Sequence, residues 1–438
     1  MNKRKDSVPE TDPGRNIHFR EGTLSAEPGL RCPSSFEQGF LYSIYPRAFS
    51  NEGTLDAVLP HLDRLVNLGA CGLWFLPLHP VGLLARKGSL GSPYSIRNYQ
   101  ELDPAYGTVE GFARLVQEAH DRGLKVILDF VANHAAHDHH LLSSHPEYFH
   151  HDDQGHPTQR VSDWSDIVDW NFESPEVSDY LIQSGSFWMR EVGLDGFRCD
   201  VAGMVPLKFW NRFREAIAEV HPEPFLLAEW QDALHHVSAF NASYDWHVFR
   251  TMREVAQGKA SLSTLEQSFT DWTTNFPKRA IPLRFLENHD ENRVMSYLNA
   301  KRLPAYAAVA FLSGGLPLIY NGQEIGAKHR PSLFEADPIP WEADYDPKVE
   351  RTYQSIFELA RDPLWGVGND TVPFQLEGAF GIRRSREGAL GVLLANMGTS
   401  PIQLTRPEPD RSWSVLLGPE EERFDLLPGE VWIGRSDR

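Results

Sequence analysis

Three carboxylates close three separate apolar runs in this chain. Asp200 ends LDGFRCD at 194–200, Glu229 ends FLLAE at 225–229, and Asp290 ends IPLRFLENHD at 281–290. Short apolar runs of this kind read as β-strands. An unpaired buried acid is costly, so acids at such positions make poor filler. In a barrel of parallel strands the C-terminal strand ends converge on one mouth, and active sites are built there. Three acids in one mouth read as machinery for making or breaking a glycosidic bond, which needs paired carboxylates.

The neighbours of each acid sharpen this reading. Arg198 precedes Asp200 with one residue between, so strand alternation puts both side chains on one face. A guanidinium there holds the carboxylate ionised and oriented, as a nucleophile requires, although a purely structural ion pair has the same pattern. Glu229 has no adjacent cation. Partial desolvation would raise its pKa, which suits an acid catalyst, while the competing reading is a carboxylate at a helix N-terminus. Asp290 follows Asn288 and His289, a polar set able to hydrogen-bond sugar hydroxyls. Asp129, Asn133 and His134 form a fourth polar cluster.

These acids need a frame. Strand-like runs at 39–45, 72–76, 124–130, 194–200, 225–229, 240–246, 281–287 and 316–320 alternate with helical patterns at 54–68, 107–122, 174–192, 206–220, 304–312 and 351–360. Eight strands separated by helices favour an α/β fold, a (β/α)8 TIM barrel spanning 35–365. A doubly wound sheet is the rival, but no G-x-G-x-x-G follows an early strand. The polar segment 134–172 is too long for an ordinary βα loop and reads as an inserted domain after the third strand. Beyond 366 the pattern changes to short strands at 380–383, 389–396, 413–417 and 431–433, a small C-terminal all-β domain spanning 366–438. Residues 1–34 are polar and rich in Pro and Gly, and are expected to form a flexible tail.

Composition bounds the partners. The 438 residues carry a net charge of −18, which argues against nucleic acid or an anionic membrane surface. Twelve Trp and thirteen Tyr offer flat platforms for sugar faces as well as ordinary core material. Cys32, Cys71 and Cys199 suggest no disulfide framework, as in a reducing compartment. No apolar stretch follows the basic start, so a signal peptide and a membrane span are not expected, and a cytoplasmic location is. The sequence carries no signal for an oligomeric state.

Taken together, these segments resemble the α-amylase family of glycoside hydrolases (glycoside hydrolase family 13). DFVANH at 129–134, GFRCD at 196–200, LLAEW at 226–230 and ENHD at 287–290 resemble its four ordered motifs, and YSIYPRAF at 42–49, SPYSIRNY at 92–99 and YNGQE at 320–324 resemble further family segments. The resemblance implies a barrel with an inserted domain and a C-terminal β-sandwich. It implies Asp200 as nucleophile, Glu229 as acid/base and Asp290 as the acid that grips the reacting glucose. Tyr94 would stack on that ring, His134 and His289 would hydrogen-bond it, Arg198 would position Asp200, and Arg293 and Trp230 would contact substrate. The implied substrate is an α-1,4-glucan: starch, glycogen or maltooligosaccharide. No cofactor is required by this chemistry. Asn133 matches a ligand of the family's calcium site, but DVAGM at 200–204 departs from the Lys-His that usually supports that site. Ala228 stands where a Gly usually precedes the acid/base Glu.

Histidines crowd the insertion at positions 134, 137, 139, 140, 145, 150, 151 and 156. Their spacing fits no standard zinc pattern, so a solvated or substrate-facing loop is expected, with His134 gaining charge between about pH 7 and 6. Related chemistries on the same site remain open: a transglycosylase, a cyclomaltodextrinase or neopullulanase, or an exo-acting α-glucosidase. A non-catalytic barrel of the transporter-partner kind typically lacks the acids and carries an anchor, and this chain has the acids.

Overall fold

The computed structural model of the protein describes Leu24, residues 27–368 and residues 370–437. Most of the expected N-terminal tail therefore lies outside the described residues. Eight parallel strands close into a barrel: β1 (Phe40–Ile44), β2 (Ala70–Phe75), β3 (Lys125–Phe130), β4 (Gly196–Cys199), β5 (Phe225–Ala228), β6 (Ala242–Tyr244), β7 (Ile281–Arg284) and β8 (Leu316–Tyr320). Each pairs with the next, and β8 returns to β1.

Alternation along each strand divides the core in two. Phe40, Tyr42 and Ile44 of β1 face the surrounding helices, while Leu41 joins Trp74, Ile127, Leu227, Tyr244, Leu283 and Leu318 inside the barrel. On β4, Phe197 and Cys199 face outward and the intervening Arg198 is fully buried. Gly196 fits because a Cβ there would stand 1.8 Å from the Phe225 carbonyl oxygen. The ladder sets the height of the acids. Cys199 pairs with Ala228, so Asp200 and Glu229 leave their strands side by side.

The barrel seam is polar and buried. Glu324 Oε1 accepts from Tyr42 Oη at 2.6 Å and from Arg64 Nη1 at 2.8 Å, and Asn321 Oδ1 accepts from the Tyr45 N–H at 2.8 Å. The segments 42–49 and 320–324 thus join the first and last strands.

One helical expectation needs correction, and two helices add to those expected. The stripe at 54–68 forms an α-helix only over Leu62–Leu68, preceded by a 3-10 turn at Leu59–His61, because Pro60 supplies no N–H for a continuous helix. Helices Trp246–Ala256 and Leu262–Asn275 were not anticipated, although Val248, Phe249, Met252 and Ala256 make a buried stripe at helical spacing.

Within 134–172, His134–Ala136 pairs antiparallel with Ile167–Asp169. After the barrel comes a five-stranded sheet of Thr371–Leu376, Ala379–Arg386, Ala389–Ala395, Val431–Ser436 and Ser414–Leu417 in spatial order, with a two-stranded sheet of Ile402–Thr405 and Arg423–Leu426. Val392, Leu394 and Trp432 of the larger sheet share one core with Leu404, Phe424 and Leu426 of the smaller. Strands 371–376, 402–405 and 423–426 add to the four expected here. Among the described residues, no helix is long and apolar enough to cross a membrane.

Candidate active site

A cavity of about 370 Å³ opens at the C-terminal ends of the strands, lined by Asp200, Glu229, Asp290, Tyr94 and His134 among others. Arg198, fully buried, binds the acids from within the barrel. Nη1 donates to Asp129 Oδ1 at 2.8 Å and to Asp200 Oδ1 at 2.9 Å, and Nη2 stands 2.8 Å from Glu229 Oε1 as an ion-pair contact. One guanidinium thus serves three buried carboxylates. Its central carbon also lies 5.1, 5.8 and 5.6 Å from the ring centroids of Trp74, Tyr94 and Tyr244, so aromatic faces surround the charge.

Burial and crowding shape the protonation of these acids. Burial pushes Asp129 up to about 6 against the pull of Arg198. Asp200 and Glu229 are raised for the same reason, with Arg198 opposing and neighbouring carboxylates adding to the rise. Asp290 behaves oppositely. Burial works against its ionisation, but His289, with Nε2 3.0 Å from Asp290 Oδ2, outweighs it and holds the carboxyl at about 2. Its side chain remains 43% exposed, facing the mouth. At Asp200 burial outweighs the guanidinium expected to hold it ionised, and Glu229 is raised partly by the charge of Asp200, so a single proton held on Glu229 leaves Asp200 charged beside Arg198, while Asp290 stays ionised.

Tyr94 is fixed by its hydroxyl, which donates to Asp129 Oδ2 at 3.1 Å and lies 2.7 Å from His289 Nε2, while the two rings stack at 5.7 Å. His134 lies against the Tyr94 backbone and beside Trp164, with ring centroids 5.5 Å apart. The expectation that His134 charges between pH 7 and 6 is corrected: burial lowers its pKa to about 4, and the nearby Asp169 and Asp166 only partly offset this.

Three anticipated substrate contacts, His289, Arg293 and Trp230, do not line the cavity, and the His289 side chain is 0% exposed. Arg293 is fully buried, donating to Glu287 Oε1 at 2.6 Å, the Asn321 carbonyl at 2.9 Å and the His329 carbonyl at 3.0 Å. Trp230 is 8% exposed and packs so closely on Gly203 that a Cβ there would stand 2.0 Å from its ring. Lining residues that sequence reasoning missed include Lys87, Trp164, Trp246 and Phe334. Lys87 Nζ reaches Asp166 Oδ1 at 2.9 Å, tying the loop after β2 to the insertion. The abundance of aromatics was a signal for Trp164 and Trp246, but nothing in the sequence placed them.

The expected calcium ligand Asn133 does not present a free oxygen. Its Oδ1 accepts from Arg160 Nη2, and its Nδ2 donates to Asp169 Oδ1 at 3.2 Å. A metal ion does not fit beside that guanidinium. The histidines of the insertion disperse onto separate partners: His137 contacts the Ser165 carbonyl, His139 the Tyr180 hydroxyl and His145 the Glu147 carboxylate. Among the described residues, no three His, Cys, Asp or Glu side chains gather to hold a metal.

The family model "Alpha amylase, catalytic domain" matches residues 33–165 and 160–369. Alpha-amylase 2 of Dictyoglomus thermophilum is 29% identical over 391 residues, covering 79% of this chain and 67% of the relative. A cyclomaltodextrinase of a Bacillus species is 26% identical over 410 residues, covering 80% and 70%. This chain therefore spans about two thirds of the length of these relatives. Among solved structures, an alpha-amylase from Lactobacillus plantarum superposes with a TM-score of 0.85 at 31% identity, covering 92% of this chain and all of that one.

Proposed function

The chain belongs to the alpha-amylase family and is a glycoside hydrolase; from that premise we propose that it cleaves α-1,4-glucosidic bonds of starch, glycogen or maltooligosaccharides with retention of configuration. The observation that carries this reading is the Arg198 fork, which holds Asp200 on one nitrogen and contacts Glu229 with the other. Carboxylates sharing one fork favour the short separation, about 5 Å, that a covalent glycosyl-enzyme route needs, over the wider gap that admits water between them.

Asp200, oriented by Arg198, attacks the anomeric carbon. Glu229, kept protonated by burial, donates its proton to the leaving oxygen and afterwards takes one from water. Asp290, ionised and facing the cavity, binds the hydroxyls of the reacting ring, together with His289 and with His134, which also lines the cavity. Tyr94 supplies a flat face for that ring.

Proton NMR of maltoheptaose incubated with the protein tests this. New α-anomers appearing first, with several products of intermediate size, are the expected result. First products of β configuration would overturn retention, and glucose or maltose alone would replace internal cleavage with action from the chain end. Products longer than maltoheptaose would point to glycosyl transfer. Inertness toward maltoheptaose but turnover of cyclodextrins would move the assignment toward the chemistry named for the Bacillus relative.

A further inference from the structure

An amide oxygen, a carboxylate and a backbone carbonyl converge on one side chain at the root of the insertion. Arg160 donates Nη2 to Asn133 Oδ1, Nε to Asp169 Oδ2 at 2.7 Å, and Nη1 to the Met204 carbonyl at 3.1 Å. Its own N–H reaches Asp169 Oδ2 at 2.9 Å. The three acceptors come from three stretches of chain: just past β3, the returning strand of the insertion, and the turn after β4. Asn133 and Asp169 are 0% and 1% exposed, whereas the Arg160 side chain is 41% exposed, so the guanidinium closes over buried oxygens. Carboxylate, amide and carbonyl oxygens are the set a hard divalent cation takes. Here a tethered cation occupies it, and its planar fork meets the acceptors one nitrogen at a time.

We propose that Arg160 is a built-in cation that takes the place of a bound divalent metal, fastening the insertion to the barrel and setting His134 at the cavity wall. The link to the cavity runs through Asn133, whose Nδ2 lies 3.1 Å from His134 Nδ1. Arg160 is thus a positioning residue. A guanidinium on a covalent tether cannot be chelated away, and its removal uncovers an oxygen set that a dissolved cation can fill. None of this depends on which glucan is cleaved.

The test compares wild type with Arg160→Ala and Arg160→Gln in excess EDTA and in about 10 mM calcium chloride, above the millimolar affinities of weak oxygen sites. Thermal melting is the first readout. Wild type should melt at the same temperature in both. The variants should melt lower in EDTA and recover by a few degrees in calcium, since ligand linkage at several-fold excess over Kd is on the order of 1–2 kcal/mol. The second readout is KM for maltoheptaose, which should rise about tenfold in the variants, with kcat changing less, and fall again with calcium. A variant that folds only in calcium gives the same answer. Wild-type melting that drops in EDTA, or variants indifferent to calcium, would overturn the proposal.

Discussion

Val201 donates its backbone N–H to Glu229 Oε2 at 2.9 Å, and it does so from a left-handed conformation with φ 35° and ψ 48°. A β-branched residue in that region costs about 1–3 kcal/mol. The turn is held by flanking bonds, Asp200 N–H to the Phe130 carbonyl at 3.0 Å and Met204 N–H to the Val201 carbonyl at 2.8 Å. The strain therefore aims a donor at one carboxyl oxygen of Glu229 while Arg198 takes the other.

Glu229→Gln cannot satisfy both neighbours. An amide that accepts from Val201 turns its NH2 toward the Arg198 guanidinium, donor against cation. We expect kcat on maltoheptaose to fall by about 10²–10⁴, the range for losing a general acid, with a much smaller loss on an aryl glucoside whose leaving group needs no proton. Parallel steady-state assays decide it, and equal losses on both substrates would remove Glu229 from the proton-donor role.

Asp200→Asn keeps the shape of the side chain but removes the nucleophile. Turnover should fall by about 10⁴ or more, while calorimetric titration still detects maltoheptaose binding. Wild-type-like rates would sink the nucleophile assignment.

Arg198→Met leaves Asp129, Asp200 and Glu229 buried without their shared cation. Breaking such a pair costs about 3–5 kcal/mol. All three acids are already raised by burial, and without the guanidinium they rise further. Protonation discharges them as pH falls, so the deficit should be larger at pH 8 than at pH 5. Urea unfolding at the two pH values measures it, and a deficit independent of pH would contradict the electrostatic explanation.

His79 is 1% exposed between Tyr99 and Trp188, and burial lowers its pKa to about 4. In the folded state it stays neutral where the unfolded chain, near 6.5, takes up a proton. Its contribution is therefore intact above pH 6.5 and is lost as pH falls toward 4, by about 2 kcal/mol at pH 5. His79→Phe cannot lose it. The melting temperature of the variant relative to wild type should shift upward between pH 8 and pH 5, and a constant difference would show that His79 does not titrate on unfolding.

Much of the fold is written locally. Runs such as LKVILDF and FLLAE are short and almost continuously apolar, which marks buried strands, and the acids closing them stand out against apolar neighbours. What failed to show locally was set by distant partners. Arg293 sits three residues after Asp290, yet Glu287, Asn321 and His329 claim its guanidinium. His134 carries an ordinary imidazole, and only the packing around it decides that it stays neutral. Lys87 pairs with Asp166 from a loop whose sequence gives no hint of the insertion it meets. Strand 371–376 is partly exposed on both faces, which weakens alternation as a signal.

The Tyr42–Glu324 bond spans 282 residues of chain. During synthesis, β1 emerges from the ribosome long before its β8 partner exists, and for that interval the growing sheet has an open edge. Open edges invite pairing with other chains. The seam is thus also a timer: the barrel stays unsealed until β8 has been made, and a chain truncated before Leu316 would be left with an unsatisfied edge and a strong tendency to aggregate.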